Sequence, residues 1–304
     1  AAAGLAFTAF SLGASGRIFW EVYQIDGLSQ FFKFAVAAGF AIAVLNASKQ
    51  PTLAPDKRAD YFMLLALSAF GLMLLSSAVE LITIYLALEI SSYSLYALIP
   101  LRGKDARAAE AGIKYILFGA AATALALFGL AYILAGQHSS YIAVLTGKSW
   151  SWAGSPLGLV GLTLFMGGFF YKLALFPFHF WAPDVYDGAS NETAAYAATL
   201  PKLGAVVILI RLAAMLQPGL QVTTVLAVLG AASMTFGNLA ALTQQDIKRM
   251  LGYSSVAHAG YIMLGLVAAS ASGLAAAVVG VWNPSLSAGS PASAATWLLM
   301  LRGG

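Results

Sequence analysis

The stretch GGFFYKLALFPFHFWAPD, Gly167–Asp184, lies inside a run that otherwise reads as lipid-facing helix. It sets Lys172 among phenylalanines, places Pro177 five residues on, and follows it with His179. Proline lacks an N–H, and its ring clashes with the carbonyl four residues back, here that of Leu173. A helix over 157–182 is therefore expected to be broken. Irregular backbone at membrane depth is tolerated only where it is buried in protein or lines a water-filled cavity, and transporters build ion sites from such discontinuous helices. The plainer alternative is a kink beside a snorkelling lysine, but Lys172 is far from either end of the span.

The rest of the chain supplies a membrane around this break. Of 304 residues, 60% are hydrophobic and 9% charged, with a mean hydropathy of +0.82. Soluble domains carry about 25% charged residues, so the reading is an all-α polytopic transmembrane helix bundle with one discontinuous helix. A span needs about 20 mostly apolar residues. Helices are expected at 1–15 (partial), 31–48, 60–78, 80–100, 111–135, 157–182 (broken), 192–215, 222–243 and 251–272. Residues 273–301 are apolar but cut by Pro284 and Pro291, and are not placed. No polar stretch is long enough to fold alone, so 1–304 reads as a single membrane domain. The start, AAAGLAFTAF, has no Met and no basic region. It reads as the truncated end of a helix that begins upstream rather than as a signal peptide.

Composition also excludes chemistry. With no cysteine, the chain offers no disulfide, iron–sulfur ligand or thiolate metal site. The three histidines, His138, His179 and His258, lack a spacing that supports a bis-histidine haem. No segment reads as a strand, and no glycine-rich dinucleotide fingerprint is present. The net charge of +4 does not point to nucleic acid, because the cations sit in short loops. Loops 49–59, 101–110, 183–191 and 244–250 fall on one side and hold Lys49, Lys57, Arg58, Arg102, Lys104, Arg107, Lys248 and Arg249. The opposite loops, 16–30, 79, 136–156 and 216–221, hold Arg17 and Lys148. This bias expects the first set to face the cytoplasm or its organellar equivalent.

A few ionisable residues fall inside apolar helices, where a charge is expensive and hence a functional candidate. Glu89, in LITIYLALEISSYSLYAL, and Lys202, after Pro201 in AAYAATLPKLGAVVILI, both come near mid-bilayer by helix rise. Glu89 as a fixed counter-charge between helices is the structural alternative. Lys114, in EAGIKYILFG, is close enough to a helix start to snorkel, so both readings stand. His258 and His179 read equally as satisfied neutral histidines or proton carriers. Glu80 and Arg211 lie near helix ends and are expected to be interfacial. Burial disfavours the charged form of a lysine and a neighbouring carboxylate restores it. A set of internal lysines around one carboxylate is therefore expected to act as a proton relay, with Lys172 as its proton-holding group.

These residues sit in stretches that resemble the antiporter-like proton-pumping subunits of respiratory complex I, the NADH–quinone oxidoreductases. The matching segments are IDGLSQFFK (25–33), LALEISSYSLYALI (86–99), EAGIKYILFGAAATALALFGLAYI (110–133), FYKLALFPFHFWAPDVYDGAS (170–190) and GNLAALTQQDIKRMLGYSSVAHAGYIMLGL (237–266). Within that family, Val185–Tyr186–x–Gly188 fits the N-chain branch better than the sodium/proton antiporter branch. The resemblance implies that Glu89, Lys114, Lys172 and Lys202 form a charged axis linked by water, with His258 at a matching histidine position. It implies a first five-helix repeat at 60–215, and at 216–304 the start of a second, inverted repeat plus an unplaced tail. Two departures stand out. Ala189–Ser190–Asn191–Glu192–Thr193 replaces a proline-containing run, and no second broken helix with a lysine follows residue 270. VVGVWNPSLS (278–287) faintly resembles the family's final helix end.

The implied activity is proton translocation coupled to redox chemistry elsewhere. Flavin, iron–sulfur clusters and quinone are expected in partner subunits, with no cofactor and no metal in this chain. Other membrane subunits are the expected partners, lipids are plausible beside the basic loops, and no nucleic acid is expected. The expected location is the bacterial inner membrane or an organellar inner membrane. Competing readings are a cation/proton antiporter subunit, an ion-translocating subunit of a related hydrogenase or ferredoxin/F420 dehydrogenase, and a scaffold subunit whose charges only lock helices together.

Overall fold

A computed structural model of the chain describes residues 1–48, 53, 55–101, 105–213, 215, 221–268 and 270–282. It opens with α1 (Ala2–Phe10), a hairpin of β1 (Gly16–Ile18) and β2 (Tyr23–Ile25), and α2 (Gly27–Ala47). Next come α3 (Arg58–Ser77), α4 (Leu81–Leu98), α5 (Ala106–Gln137) and the single turn α6 (Ile142–Leu145). α7 (Pro156–Leu173) and α8 (Trp181–Gly188) flank the break, and α9 (Asn191–Ala213), α10 (Gln221–Leu242), α11 (Ile247–Val267) and α12 (Ala271–Trp282) follow. Eight helices among the described residues are long and apolar enough to cross a membrane. The protein is an integral membrane helix bundle.

The helix starts have local causes. Asp26 caps α2 through a capping box with Ser29, so the helix begins at Gly27 rather than at 31. Asp105 and Asp246 cap α5 and α11. Ser155 caps α7 with Pro156 at its first position, where the missing N–H does no harm. Glu80, expected at the interface, is buried and caps α4: its Oε2 accepts from Thr83 N at 2.7 Å and Thr83 Oγ1 at 2.8 Å.

Two expectations need correction. The chain does contain strands: Gly16 pairs with Ile25 and Ile18 with Tyr23 in an antiparallel hairpin. Phe19, Trp20 and Glu21 at its tip have φ of 54°, 53° and 66°, a left-handed region that side chains disfavour. The helix expected over 251–272 ends at Val267, and a new helix starts at Ala271. Residues 278–282 belong to this α12, while 283–304 lie outside the described residues, as do Lys49, Arg102 and Lys104.

Packing sorts the helices. In α7 and α9, which carry Lys172 and Lys202, 72% and 78% of the apolar window is buried, against 22% in α10. Lysines therefore sit on the central helices and apolar side chains cover the rim. α5 and α7 approach backbone to backbone at Gly129 and Gly161: a Cβ on Gly129 would come within 2.6 Å of Gly161 O, and one on Gly161 within 2.7 Å of Ile133 N. In lipid, such small residues are what permit helices to close on each other.

Contacts gather the loops at two ends. At one end, Tyr23 bridges Ala78 and Glu80 bridges Tyr141, and Arg211 of α9 reaches Asp26 before α2 and the Ser76 carbonyl of α3. At the other, Lys114 of α5 pairs with Asp184 of α8, which also pairs with Arg249 of α11.

Candidate functional site

α7 stops at Leu173, one residue past Lys172, because Ala174 turns left-handed at φ 60°. The break therefore opens three residues before Pro177, which follows Phe176 through a cis peptide bond. Ala174 and Leu175 at its start are buried, whereas Pro177 and Phe180 are exposed. Ala174 N donates to Tyr171 O and Leu175 N to Phe170 O, both at 2.9 Å. Trp181 Nε1 donates to the same Tyr171 carbonyl at 2.9 Å. Phe176 N donates to Ser233 Oγ of α10 at 3.2 Å, and that hydroxyl donates to Val256 O of α11 at 2.8 Å. The unwound segment is thus held by two neighbouring helices, as irregular backbone at this depth demands.

Lys172 is 4% exposed. Its Nζ donates to the Tyr115 hydroxyl of α5 at 3.1 Å. Glu89 of α4 is 5% exposed; its Oε1 accepts from Thr123 Oγ1 at 2.9 Å, while its Oε2 has no hydrogen-bond partner among the described residues. Glu89, Thr123 and Lys172 line one cavity of about 10 Å³, roughly the volume that holds one water. The accessible lining of this cavity is almost wholly apolar, and Glu89 Oε2 is the polar atom beside it without a partner among the described residues.

Lys202 of α9 is also buried, and its Nζ donates to Ser255 Oγ of α11. Ser255 in turn shares a hydrogen bond with the Tyr186 hydroxyl of α8 at 3.3 Å. His258 lies three residues on, so it shares the Ser255 face of α11; its Nδ1 is 2.8 Å from Ser254 O. His179, in the break, is buried between Phe176 and Phe236, with ring centroids 5.4 and 4.7 Å away, and its Nδ1 has no hydrogen-bond partner among the described residues.

Lys114 sits elsewhere. Its Nζ lies 2.6 Å from Asp184 Oδ2 and 2.7 Å from Glu110 Oε1, with over a third of the side chain exposed. α5 has 32 residues, about 48 Å of helix against a hydrocarbon core of about 30 Å. A residue near its start therefore reaches the mouth of the bundle rather than the middle. There, Arg107, Glu110, Lys114, Asp184, Asp246 and Arg249 line an open cavity of about 440 Å³. Partial burial pushes the Asp184 carboxyl up, but hydrogen bonds from Lys114 and Arg249 outweigh it and hold the group below the usual range.

Several of these groups were not singled out from sequence. Asp184 was visible at the end of the quoted stretch, and Tyr96 falls seven residues after Glu89, on the same helix face. Tyr115 follows Lys114 directly, and the roughly 100° step between neighbours on a helix sends one to the mouth and the other to the core. Thr123 and Ser255 carried no signal of their own. Arg211, near the end of α9, joins Asp26 through two 3.0 Å contacts.

The family described as NADH:quinone oxidoreductase/Mrp antiporter, TM, matches residues 78–286. The chain belongs to this family. It is 67% identical over 278 residues to NADH-quinone oxidoreductase subunit N 2 of Solidesulfovibrio magneticus, covering 91% of this chain and 59% of that protein. It is 40% identical over 253 residues to F(420)H(2) dehydrogenase subunit N of Methanosarcina mazei, covering 81% and 50%. Among solved structures, a chain of respiratory complex I from Thermus thermophilus superposes with a TM-score of 0.76 at 34% identity, covering 92% of this chain and 62% of that one. The chain thus spans about six-tenths of the length of these complex I relatives, which share the family's membrane fold.

Proposed function

We propose that this chain belongs to the proton-translocating membrane subunit of a complex I-type NADH–quinone oxidoreductase. Glu89, Lys172, Lys202 and His258 would carry the relay, and Lys114 would serve it from the mouth of the bundle. The observation that carries the reading is the cavity shared by Glu89 and Lys172. It brings together a carboxylate oxygen without a partner among the described residues and a lysine that donates to a phenol. A proton can pass between such groups through one water. The Ser255 hydroxyl contacts Lys202 and lies on the His258 face, which extends the path toward α11. The open cavity around Lys114, Asp184 and Arg249 gives protons a polar place to collect at the basic end, here assigned to the cytoplasm of a bacterial or organellar inner membrane.

Flavin, iron–sulfur clusters and quinone belong, on this reading, to partner subunits. This chain has no cysteine, so iron–sulfur ligands would have to come from elsewhere. Its own residues hold and move protons. Other membrane subunits would cover much of the apolar rim, and lipids the remainder beside the basic loops.

The test uses the assembled complex in proteoliposomes, with proton uptake read by a pH-gradient dye and NADH oxidation measured with an uncoupler present. Glu89→Gln, Lys172→Met and Lys202→Met are expected to lower protons moved per NADH while leaving assembly intact. Undiminished proton uptake in Lys172→Met complexes is the result that refutes the relay. The similarity to F(420)H(2) dehydrogenase subunit N supports a second reading, a related complex with another electron donor. Mass spectrometry of the co-purifying subunits separates the two. A sodium gradient that drives ion flux with no electron donor present would instead favour an antiporter.

A further inference from the structure

The relay described above leaves one question about Lys172. A buried ammonium is expensive unless paired, yet the ion pairs among the described residues do not include it. What surrounds it instead is aromatic. Its Nζ lies 5.2 Å from the ring centroid of Tyr115, 5.4 Å from that of Tyr171 and 5.7 Å from that of Tyr96. The rings come from three helices, α5, α7 and α4. A cation within about 6 Å of an aromatic face is attracted by the ring quadrupole, most strongly where water is excluded.

The arrangement is built rather than incidental. Tyr96 packs edge-on against Tyr115 with centroids 5.2 Å apart. The Tyr171 hydroxyl donates to the Tyr115 carbonyl at 2.8 Å, which ties α7 to α5. Gly119, one turn after Tyr115, leaves the room that the Tyr96 ring uses: a Cβ there would come within 2.7 Å of Tyr96 Cζ. The groups facing Lys172 are Glu89 and Tyr96 from α4, Tyr115 from α5 and its neighbour Tyr171 on α7.

We propose that Tyr96, Tyr115 and Tyr171 form an aromatic cage that stabilises the Lys172 ammonium in place of a fixed carboxylate. The cage lets Lys172 stay charged while Glu89 is either ionised or protonated. The lysine can then accept a proton before the carboxylate releases one, so the two titrate in sequence rather than as a locked pair. The tyrosines are positioning residues for the relay. This inference rests on the relay reading, and the test separates the two.

Proton uptake per NADH is measured against pH in assembled complexes carrying Tyr96→Phe, Tyr96→Leu, Gly119→Ala or Lys172→Met. Tyr96→Leu removes a ring near Lys172, and Gly119→Ala displaces the Tyr96 side chain. Each is expected to move the alkaline limb of the profile to lower pH by about one unit, the effect of one desolvated cation–π contact. Tyr96→Phe keeps the ring and is expected to move the limb much less. NADH oxidation with uncoupler present reports assembly in every case. If Lys172→Met pumps normally, the relay itself fails. If Lys172→Met does not pump but neither Tyr96→Leu nor Gly119→Ala shifts the limb, the cage fails while the relay stands. If Tyr96→Phe shifts the limb as far as Tyr96→Leu, the hydroxyl acts alone and the cage is overturned.

Discussion

The contact between Arg211 and Asp26 makes an asymmetric prediction. The guanidinium meets both carboxylate oxygens at 3.0 Å and donates also to the Ser76 carbonyl at 3.0 Å. Side-chain exposure is 9% for Arg211 and 27% for Asp26. Asp26 has other partners: Oδ1 accepts from Ser29 N at 2.8 Å and Oδ2 from Gln24 Nε2 at 3.1 Å. Arg211 Nε has none. Removing one partner of a buried pair leaves the other charge uncompensated, at about 3–5 kcal/mol. Asp26→Asn keeps the helix cap, since Asn and Asp cap equally well, but strands Arg211. We expect it to destabilise by about 3 kcal/mol, the low end of that range because the pair is partly exposed. Arg211→Met keeps the stem and leaves a carboxylate with two donors and some solvent. Its loss should be nearer 1–2 kcal/mol, the scale of hydrogen bonds to a charged group. The double variant should recover about 1–2 kcal/mol relative to the sum. The assay is SDS titration in mixed micelles, followed by circular dichroism and tryptophan fluorescence. Arg211→Met destabilising as much as Asp26→Asn, or more, refutes the reasoning. Acid provides a second check. Partial burial raises the Asp26 pKa, but the Arg211 and Ser29 contacts outweigh this and lower it. A lowered carboxylate pKa contributes stability that is present above the unfolded value, 3.8, and is lost as pH falls through the folded value. Asp26→Asn should therefore flatten the loss of stability below about pH 4.

Four further outcomes follow from the same structure. Gly129→Val should destabilise by about 1–3 kcal/mol through overpacking, since its Cβ would press on the Gly161 carbonyl and the Phe165 backbone; SDS titration reads it. Ser255→Ala should lower proton uptake per NADH by removing the hydroxyl that Lys202 contacts, whereas Ser255→Thr should retain most of it. Thr123→Val, which removes the donor to Glu89 Oε1 at constant shape, should shift the pH profile of proton uptake with little change in stability to SDS. Lys114→Met should change stability by at most about 1 kcal/mol, because its own side chain is more than a third exposed, and salt should shrink the difference.

The bundle was legible because its driving force is recorded residue by residue: a span is a run of apolar side chains, and a proline in one announces itself. Glu89, Lys172 and Lys202 were legible for the complementary reason, that each violates its run. What stayed hidden were relations between runs. Nothing in the sequence around Arg211 says that Asp26, 185 residues away, comes to it. The hairpin after α1 was missed because two three-residue strands are shorter than any periodicity test resolves. Lys114 was read by its distance from a helix start, and α5 proved long enough to carry that start beyond the bilayer. The tyrosines were missed because aromatic residues in an apolar helix look like ordinary core; only the Lys172 ammonium between them gives the three rings a common purpose.

The two groups of charges differ in their partners, and that difference bears on mechanism. At the ends of the bundle, Asp26–Arg211 and Lys114–Asp184–Arg249 are closed ion pairs. A closed and buried pair such as Asp26–Arg211 resists a change of protonation, because removing either charge exposes the other, and holds helix ends in register, whereas Lys114 and Asp184 are more exposed and face an open cavity. In the interior the partners are neutral: Thr123 for Glu89, Tyr115 for Lys172 and Ser255 for Lys202. A hydroxyl accepts from a lysine and donates to a carboxylate, and it can turn to serve the neutral forms as well. Internal groups with such partners can gain or lose a proton without stranding a buried countercharge. A scaffold role for Glu89 or Lys172 predicts the opposite arrangement, a direct carboxylate–ammonium contact between helices. A small cavity that both residues line stands there instead, which is the arrangement the proposed relay calls for.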